Sequence, residues 1–593
     1  MSGVNVVDAR EAVQIANTAI NKGGVEAVYA TAGLHPPYPP PLPNDEEDMS
    51  KARTFNLADL FRIVAATVPD KEALICGTRR LTYRQLAERS TQLALWLRSK
   101  GIQAGDTVGI DMYNCNEFIE TVLAAFMLKA IPVNINYRYT VEELRYLFVN
   151  AELKALIYDA TLEAAAAGAL EAAPEVNLRA LARIRGADAP APTIAGTVDY
   201  EAALASANGL NTTLDDIDLT DDDVILLYTG GTTGMPKGVI WPHKALFFAG
   251  FGGGGSFSPN GPITKPEELV DRINEGMSIR LLPTAPLMHG AGLWATLIGL
   301  YGGHTLFLDD HPGFNAERAL DMIVAEQINC LMIVGDAMGI PLLDALRAHP
   351  GRWDLACLMA ISSASALFSE HVQEGLKEFL PPYIRIVNSM GSSETGQSGI
   401  NLTPPKEGLI TLTRNETTDV AVDGVRFAKP GETGILVRMG HLPLGYFKDP
   451  QKTAATFAMI EGKRCSISGD IARLDEDGSI VVFGRDSQCI NSGGEKIFTE
   501  EVEEAVRSHG AVADAVVIGL PDERWGQKVV AIVALRPDAA ESAENIRTHV
   551  RQQIAGYKVP KEIVFVPNVL RTPVGKADYS WAKGVAEQTL QAK

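Results

Sequence analysis

From Phe55 onward the chain alternates between two hydrophobic periods that cannot share one kind of element. Residues 84–100 (RQLAERSTQLALWLRSK) place apolar side chains at helical spacing. Residues 73–76, 108–110, 132–135 and 155–158 are short, mostly apolar runs between such helices. Strands separated by helices pair in parallel and bury both faces, so the expected class is α/β with a largely parallel sheet. A second α/β stretch covers roughly 225–400. Residues 408–483 turn β-rich with glycine turns, as in a barrel-like piece. After Arg485 a compact α/β unit begins, with a helix near 500–508, strands at 513–519 and 528–535, and a helix at 543–555. The expected organisation is an extension over 1–54, a large domain of several subdomains over 55–484 (two α/β sheet layers plus the barrel-like piece), and a small domain over 485–593. In the extension, HPPYPPPLPNDEEDMS (35–50) holds six prolines. Proline fixes φ and removes a donor, so this reads as an extended linker, with a proline-rich partner ligand as the alternative.

Charge excludes whole classes of partner. The 593 residues carry 73 acidic against 53 basic side chains, a formal charge of −20. Such a surface repels nucleic acid and anionic membranes, so any polyanion must be held by a local site. The six cysteines are scattered singly, with no zinc spacing, as expected of reduced thiols in the cytoplasm. Asp8, Arg10 and Glu11 interrupt any signal peptide, and no run of 18 apolar residues suggests a transmembrane segment. The most apolar stretch, 293–308, contains Gly302, Gly303 and His304 and reads as buried core.

The sharpest local signal is YTGGTTGMPKG, 228–238. A hydrophobic strand runs into Gly230, Gly231 and Gly234 interleaved with Thr229, Thr232 and Thr233. Glycines let backbone N–H groups converge, and the hydroxyls and Lys237 add donors, which together make a phosphate cradle. It is not a Walker A loop, because Lys237 follows proline and precedes Gly238.

This loop resembles the signature phosphate loop of the acyl-adenylate-forming enzymes, the superfamily of acyl-CoA synthetases, adenylation domains and luciferases. Gly230 departs from the serine often found there. Further stations follow in family order. PLMHGAG (286–292) implies that His289 lies between acyl group and nucleotide. SSASAL (362–367) implies an adenine-facing turn at Ala364, Ser365 and Ala366. MGSSETG (390–396) implies nucleotide contacts from Met390, Gly391, Ser392 and Ser393, with Glu394 and Thr233 holding Mg2+. Met390 stands where the family stacks an aromatic on adenine. SGD (468–470) implies that Asp470 binds the ribose hydroxyls, and Arg485 donates to ribose or phosphate. Ser487 occupies the hinge position, where the family usually has Asp or Lys, and the resemblance implies that the small C-terminal domain is mobile about it. Ser492, Gly493 and Gly494 would line the CoA tunnel. RTPVGK (571–576) supplies Lys576 as the catalytic lysine, beside His289 and Glu394.

The resemblance implies ATP, CoA and Mg2+ as co-substrates and cofactor, and a small-molecule carboxylic acid as substrate. A homodimer is left open. GDAM (335–338), MHGA (288–291), GSSETG, the hinge segment and GKADYSWAK (575–583) are similar to bacterial synthetases that activate fatty acids or steroid side-chain carboxylates. An apolar acid is therefore expected, with aryl acids or an acceptor other than CoA as alternatives. Asp336 either recognises a polar group on the substrate or caps a helix, and the cap is the favoured reading.

Overall fold

The computed structural model describes residues 54–591 apart from 186–189, 209, 211–212, 232–233, 257, 259, 367, 402–408, 486–489, 493–494, 523–525, 555 and 572–576. The proline-rich extension, Ser487, Gly493, Gly494, Thr232, Thr233 and Lys576 lie outside the described residues. The described residues form two compact units: one within 54–314, 392–397 and 441–457, the other within 315–391, 398–440 and 458–591.

The helical run expected over 84–100 is the helix Tyr83–Ser99. Its start is fixed by Thr82 and Gln85, which form a reciprocal capping box. Thr140 and Glu143 do the same for Val141–Asn150. Leu86, Leu93, Ala94 and Leu97 face inward along one stripe of Tyr83–Ser99.

In the first unit, Thr107–Asp111 pairs in parallel with Ile131–Asn134 on one side and Ala155–Asp159 on the other. Ala180–Ile184 and Val198–Asp199 extend that edge, also in parallel. Beyond Ile131–Asn134 comes Val224–Gly231, and then two antiparallel strands, Gly234–Pro242 and Gly445–Tyr446. The central strands are buried on both faces and read as continuous apolar runs, as parallel strands must. A further sheet in this unit joins Arg280–Pro283, Thr305–Leu308, Glu72–Cys76 and Arg79–Thr82. The apolar stretch 293–308 is core, divided between the helix Gly290–Tyr301 and the strand Thr305–Leu308.

The second unit contains the parallel strands Cys330–Ile333, Ala360–Ser363 and Arg385–Ser392. The β-rich stretch is a seven-stranded antiparallel sheet, with Lys463–Leu474 running beside both Thr433–Arg438 and Ser479–Arg485. Gly434 is required there: a Cβ would sit 2.1 Å from the Ala421 carbonyl oxygen. The C-terminal sheet is built on the hairpin Val512–Asp522 and Gly526–Leu535, with Glu562–Val566 parallel to its second strand. The helices Thr499–Arg507 and Ala543–Arg551 flank the same core.

Asp336 serves a helix start, though not that of the helix it stands in. It stands in the first turn of Gly335–Ala348, but its Oδ1 accepts from the Ser369 N–H (2.9 Å) and hydroxyl (3.1 Å). Ser369 is the N-cap residue of Glu370–Lys377, so the carboxylate braces the entry of a different helix. Its other oxygen lies 4.0 Å from Arg507.

Candidate active site

The glycine- and threonine-rich segment is the tip of an antiparallel hairpin. Val224–Gly231 and Gly234–Pro242 pair from Val224 opposite Pro242 to Gly231 opposite Gly234, with an irregularity between Thr229 and Gly231. Thr229 faces Lys237 across the ladder, and Tyr228 faces Gly238. Gly238 is close-packed: a Cβ there would meet the Tyr228 ring at 2.8 Å. Asn134 anchors the base, accepting from the Tyr228 N–H (2.7 Å) and donating to its carbonyl (3.0 Å). The loop is therefore presented by a fixed scaffold.

Two chain segments remote in sequence dock on this hairpin. Residues 445–446 add an edge strand to it: Leu444 N–H donates to the Ile240 carbonyl (2.8 Å) and Phe447 N–H to that of Gly238 (2.7 Å). Ser392–Gln397 is tied down by Trp241, whose Nε1–H donates to the Ser393 carbonyl (2.8 Å). Ser392 and Thr395 bond to each other, and the Glu394 N–H donates to the Ser392 hydroxyl (3.2 Å). Gly396, at φ +68°, closes the turn where a Cβ would lie 2.7 Å from the Ala249 carbonyl oxygen. The Glu394 Oε1 accepts from the Tyr446 hydroxyl (2.7 Å), and Lys237 pairs with Asp449. His289 is half-buried immediately before the helix Gly290–Tyr301. Thr229, Lys237, His289, Ser392, Ser393 and Glu394 thus belong to one unit.

The other described stations belong to the second unit. Ala364, Ser365 and Ala366 follow the strand Ala360–Ser363, and Ser365 takes the left-handed conformation at φ +69°. Met390 packs on the apolar core of the antiparallel sheet, a cluster that includes Leu412, Val420 and Leu436. Gly391 follows it and is exposed. Asp470 is buried, follows Gly469 at φ +80°, and lies opposite Arg485 in the ladder. Its N–H donates to the Ser468 hydroxyl at 3.0 Å. Glu500, nearby in the same unit, has its carboxyl pushed up to about 7, first by burial and then by Glu503. Ser492 pairs with Glu495 and Gly526.

Trp241, Tyr446 and Asp449 are the residues that sequence reasoning missed. The Asp449-Pro450 pair is a legible helix start, since Asp449 caps Pro450–Thr456 and proline suits the first helical position. No local signal tells that the same carboxylate reaches Lys237, 212 residues earlier.

A hydrophobic strand leading into a glycine-rich hairpin with a lysine, and a docked loop that carries a carboxylate, are brought together in one unit. The family model described as AMP-binding enzyme matches residues 61–447, and that of the AMP-binding enzyme C-terminal domain matches 501–576. The chain belongs to this family, the acyl-adenylate-forming enzymes. Within it the chain is an AMP-forming acyl-CoA synthetase, using ATP and CoA. It is 41% identical over 549 residues to the medium-chain acyl-CoA ligase Mig of Mycobacterium avium, covering 89% of this chain and 98% of that protein. It is 40% identical over 538 residues to the 3-oxocholest-4-en-26-oate–CoA ligase of Rhodococcus rhodochrous, covering 89% and 95%. The fold matches the anthranilate CoA ligase AuaEII in complex with anthranoyl-AMP, with a TM-score of 0.77 at 22% identity over 92% of this chain and 100% of that one. No described helix is long and apolar enough to cross a membrane.

Proposed function

We propose that the enzyme activates an apolar carboxylic acid, a medium- or long-chain fatty acid or a steroid side-chain acid, to its CoA thioester. The observation that carries this is identity near 40%, over almost nine-tenths of the chain, to relatives named for those two acid classes. Free thiols at all five described cysteines suit a cytoplasmic enzyme.

The chemistry starts from a poor acyl donor, since a free carboxylate would have to expel oxide. A substrate carboxylate oxygen attacks the α-phosphorus of ATP, the bond to pyrophosphate breaks, and acyl-AMP forms. Charge spreads over the phosphate oxygens in that transition state, so fixed donors aimed there lower the barrier. Thr229, the glycine loop and Lys237 are proposed to hold the phosphates, and Lys576 the developing charge. Asp470 is proposed for the ribose, where one carboxylate can accept from two vicinal hydroxyls. The CoA thiolate then attacks the acyl carbonyl and AMP leaves, with Ser492, Gly493 and Gly494 proposed along its path and Ser487 as the pivot between the two steps.

Mg2+ fits the residues present. It takes one or two carboxylates and shares the rest of its shell with water and phosphates. Glu394, with Thr233, would hold it, and the Tyr446 hydrogen bond orients the carboxylate. When bound, it supplies charge neutralisation at the phosphates.

The test is pyrophosphate release with ATP, CoA and a panel of acetate, octanoate, palmitate, an aryl acid and a bile-type steroid acid. Turnover of octanoate, palmitate or the steroid acid is expected. Activity confined to acetate or to the aryl acid would overturn the substrate reading.

A further inference from the structure

Resting on the assignment of Lys237 to the phosphates, we propose that residues 445–449 form a positioning strap for the phosphate site. In it Asp449 pre-aligns Lys237, and Tyr446 pre-aligns Glu394.

Each residue of the strap has a contact that holds it, Phe447 through its N–H on the Gly238 carbonyl (2.7 Å). Gly445 sits at φ +153°, and a Cβ there would meet the Thr453 side chain at 2.5 Å. Thr453 Oγ accepts from the Tyr446 N–H (2.9 Å) and donates to the Asp449 carbonyl (2.8 Å). Lys448 is drawn the other way, onto the Asn150 carbonyl (2.9 Å) and Glu152 (2.6 Å). Asp449 is fixed by its own helix, with Oδ1 accepting from the Lys452 N–H (2.9 Å) while Oδ2 meets Lys237. From this one platform two side chains leave in the same unit. One reaches the cation of the phosphate hairpin and the other the carboxylate of the docked loop.

The physical need is plain. A lysine on a flexible four-carbon stem loses much of its rotamer freedom when the ammonium is held on a phosphate. Lys237 is substantially exposed, at 41% of its side chain, so its own packing does not fix it. Asp449 fixes it before ATP arrives, and the ammonium has three donors, so one can stay on Asp449 while others face phosphate. Asp449 and Tyr446 act through Lys237 and Glu394 and are positioning residues rather than catalytic ones.

Asp449→Asn separates this role from the structural one, because asparagine caps a helix as well as aspartate but carries no charge. The expected result is an ATP KM raised about tenfold, an unchanged Tm, and conversion of pre-made acyl-AMP and CoA to thioester within about twofold of wild type. Lys237→Ala should raise the ATP KM as well, and adding Asp449→Asn to it should do no further harm, since the two act as a unit. Tyr446→Phe should raise the Mg2+ concentration for half-maximal adenylation severalfold, with rescue at high Mg2+. If Lys237→Ala leaves ATP dependence alone, the phosphate-loop assignment itself fails. If Lys237→Ala impairs ATP use and Asp449→Asn does not, the strap fails alone. Equal loss of both half-reactions with a lowered Tm in Asp449→Asn would also overturn it, being the mark of a merely structural residue.

Discussion

At the scale of single residues, the proposed chemistry divides cleanly between two half-reactions, and variants should divide the same way. Lys576 is proposed to serve the transition state at the α-phosphorus and no later step. Lys576→Ala should therefore slow adenylation by a factor of hundreds or more, about 3–4 kcal/mol, as for other preorganised charges. Thioester formation from pre-made acyl-AMP should be largely spared, and single-turnover assays of each half-reaction check this. Asp470→Ala should raise the ATP KM, since charge-assisted hydrogen bonds are worth roughly 1.5–3 kcal/mol each. An ATP titration at saturating acid reads that loss, and an unchanged KM would remove Asp470 from the nucleotide. The cysteines mark the opposite extreme. Cys76 and Cys330 are buried in strands, their thiols pushed up to about 12 chiefly by burial, so they have no part in nucleophilic chemistry.

At the scale of elements, the alternating pattern located Glu72–Cys76, Thr107–Asp111, Ile131–Asn134 and Ala155–Asp159 almost to the residue but passed over Arg79–Thr82, and both capping boxes are written in the sequence as Thr-x-x-Gln and Thr-x-x-Glu. The helix expected at 543–555 ends earlier, at Arg551. Apolar spacing carries no clear stop there. What stayed hidden were pairings over long separations. That residues 445–446 complete the sheet of the glycine-rich hairpin, or that Asp336 braces Ser369, depends on tertiary neighbours that no window of sequence contains. The parallel strands also store a titration. Asp111 and Asp159 lie at the ends of adjacent strands, and burial, then Asp159, pushes the Asp111 carboxyl up to about 7. The unfolded chain loses this proton near pH 4 while the folded chain keeps it to about 7. Stability from this group is therefore complete below pH 4 and is lost as pH rises towards 7 and above. Asp111→Asn should raise Tm at pH 8 and flatten the decline between pH 5 and 8, with an effect on the order of a few kcal/mol. Thermal melts across that range check it, and a pH slope identical to wild type would count against it.

At the scale of the whole molecule, the C-terminal elements and residues 315–391 share one unit, and a buried charge cluster explains part of that. Arg507 lies 3.5 Å from Glu503, 3.8 Å from Glu504, and 4.0 Å from both Asp336 and Asp514. Arg536 adds a hydrogen bond to His371 at 2.7 Å. Removing one partner from such a cluster leaves buried carboxylates uncompensated, so Arg507→Ala should cost about 3–5 kcal/mol in denaturant unfolding. Arg507→Lys should recover little, because an ammonium cannot replace the guanidinium's spread of donors. The first unit raises a different matter, one of timing. Its glycine-rich hairpin waits for an edge strand and a carboxylate loop that follow residue 314 only after long excursions into the other unit. A ribosome adding about 5–20 residues per second reaches residue 457 on the order of ten seconds after residue 314 has been joined. Through that interval the growing chain exposes an unpaired sheet edge. A chaperone that binds nascent chains should engage this protein most strongly while residues 315–457 are being made, and release it once Tyr446 has emerged.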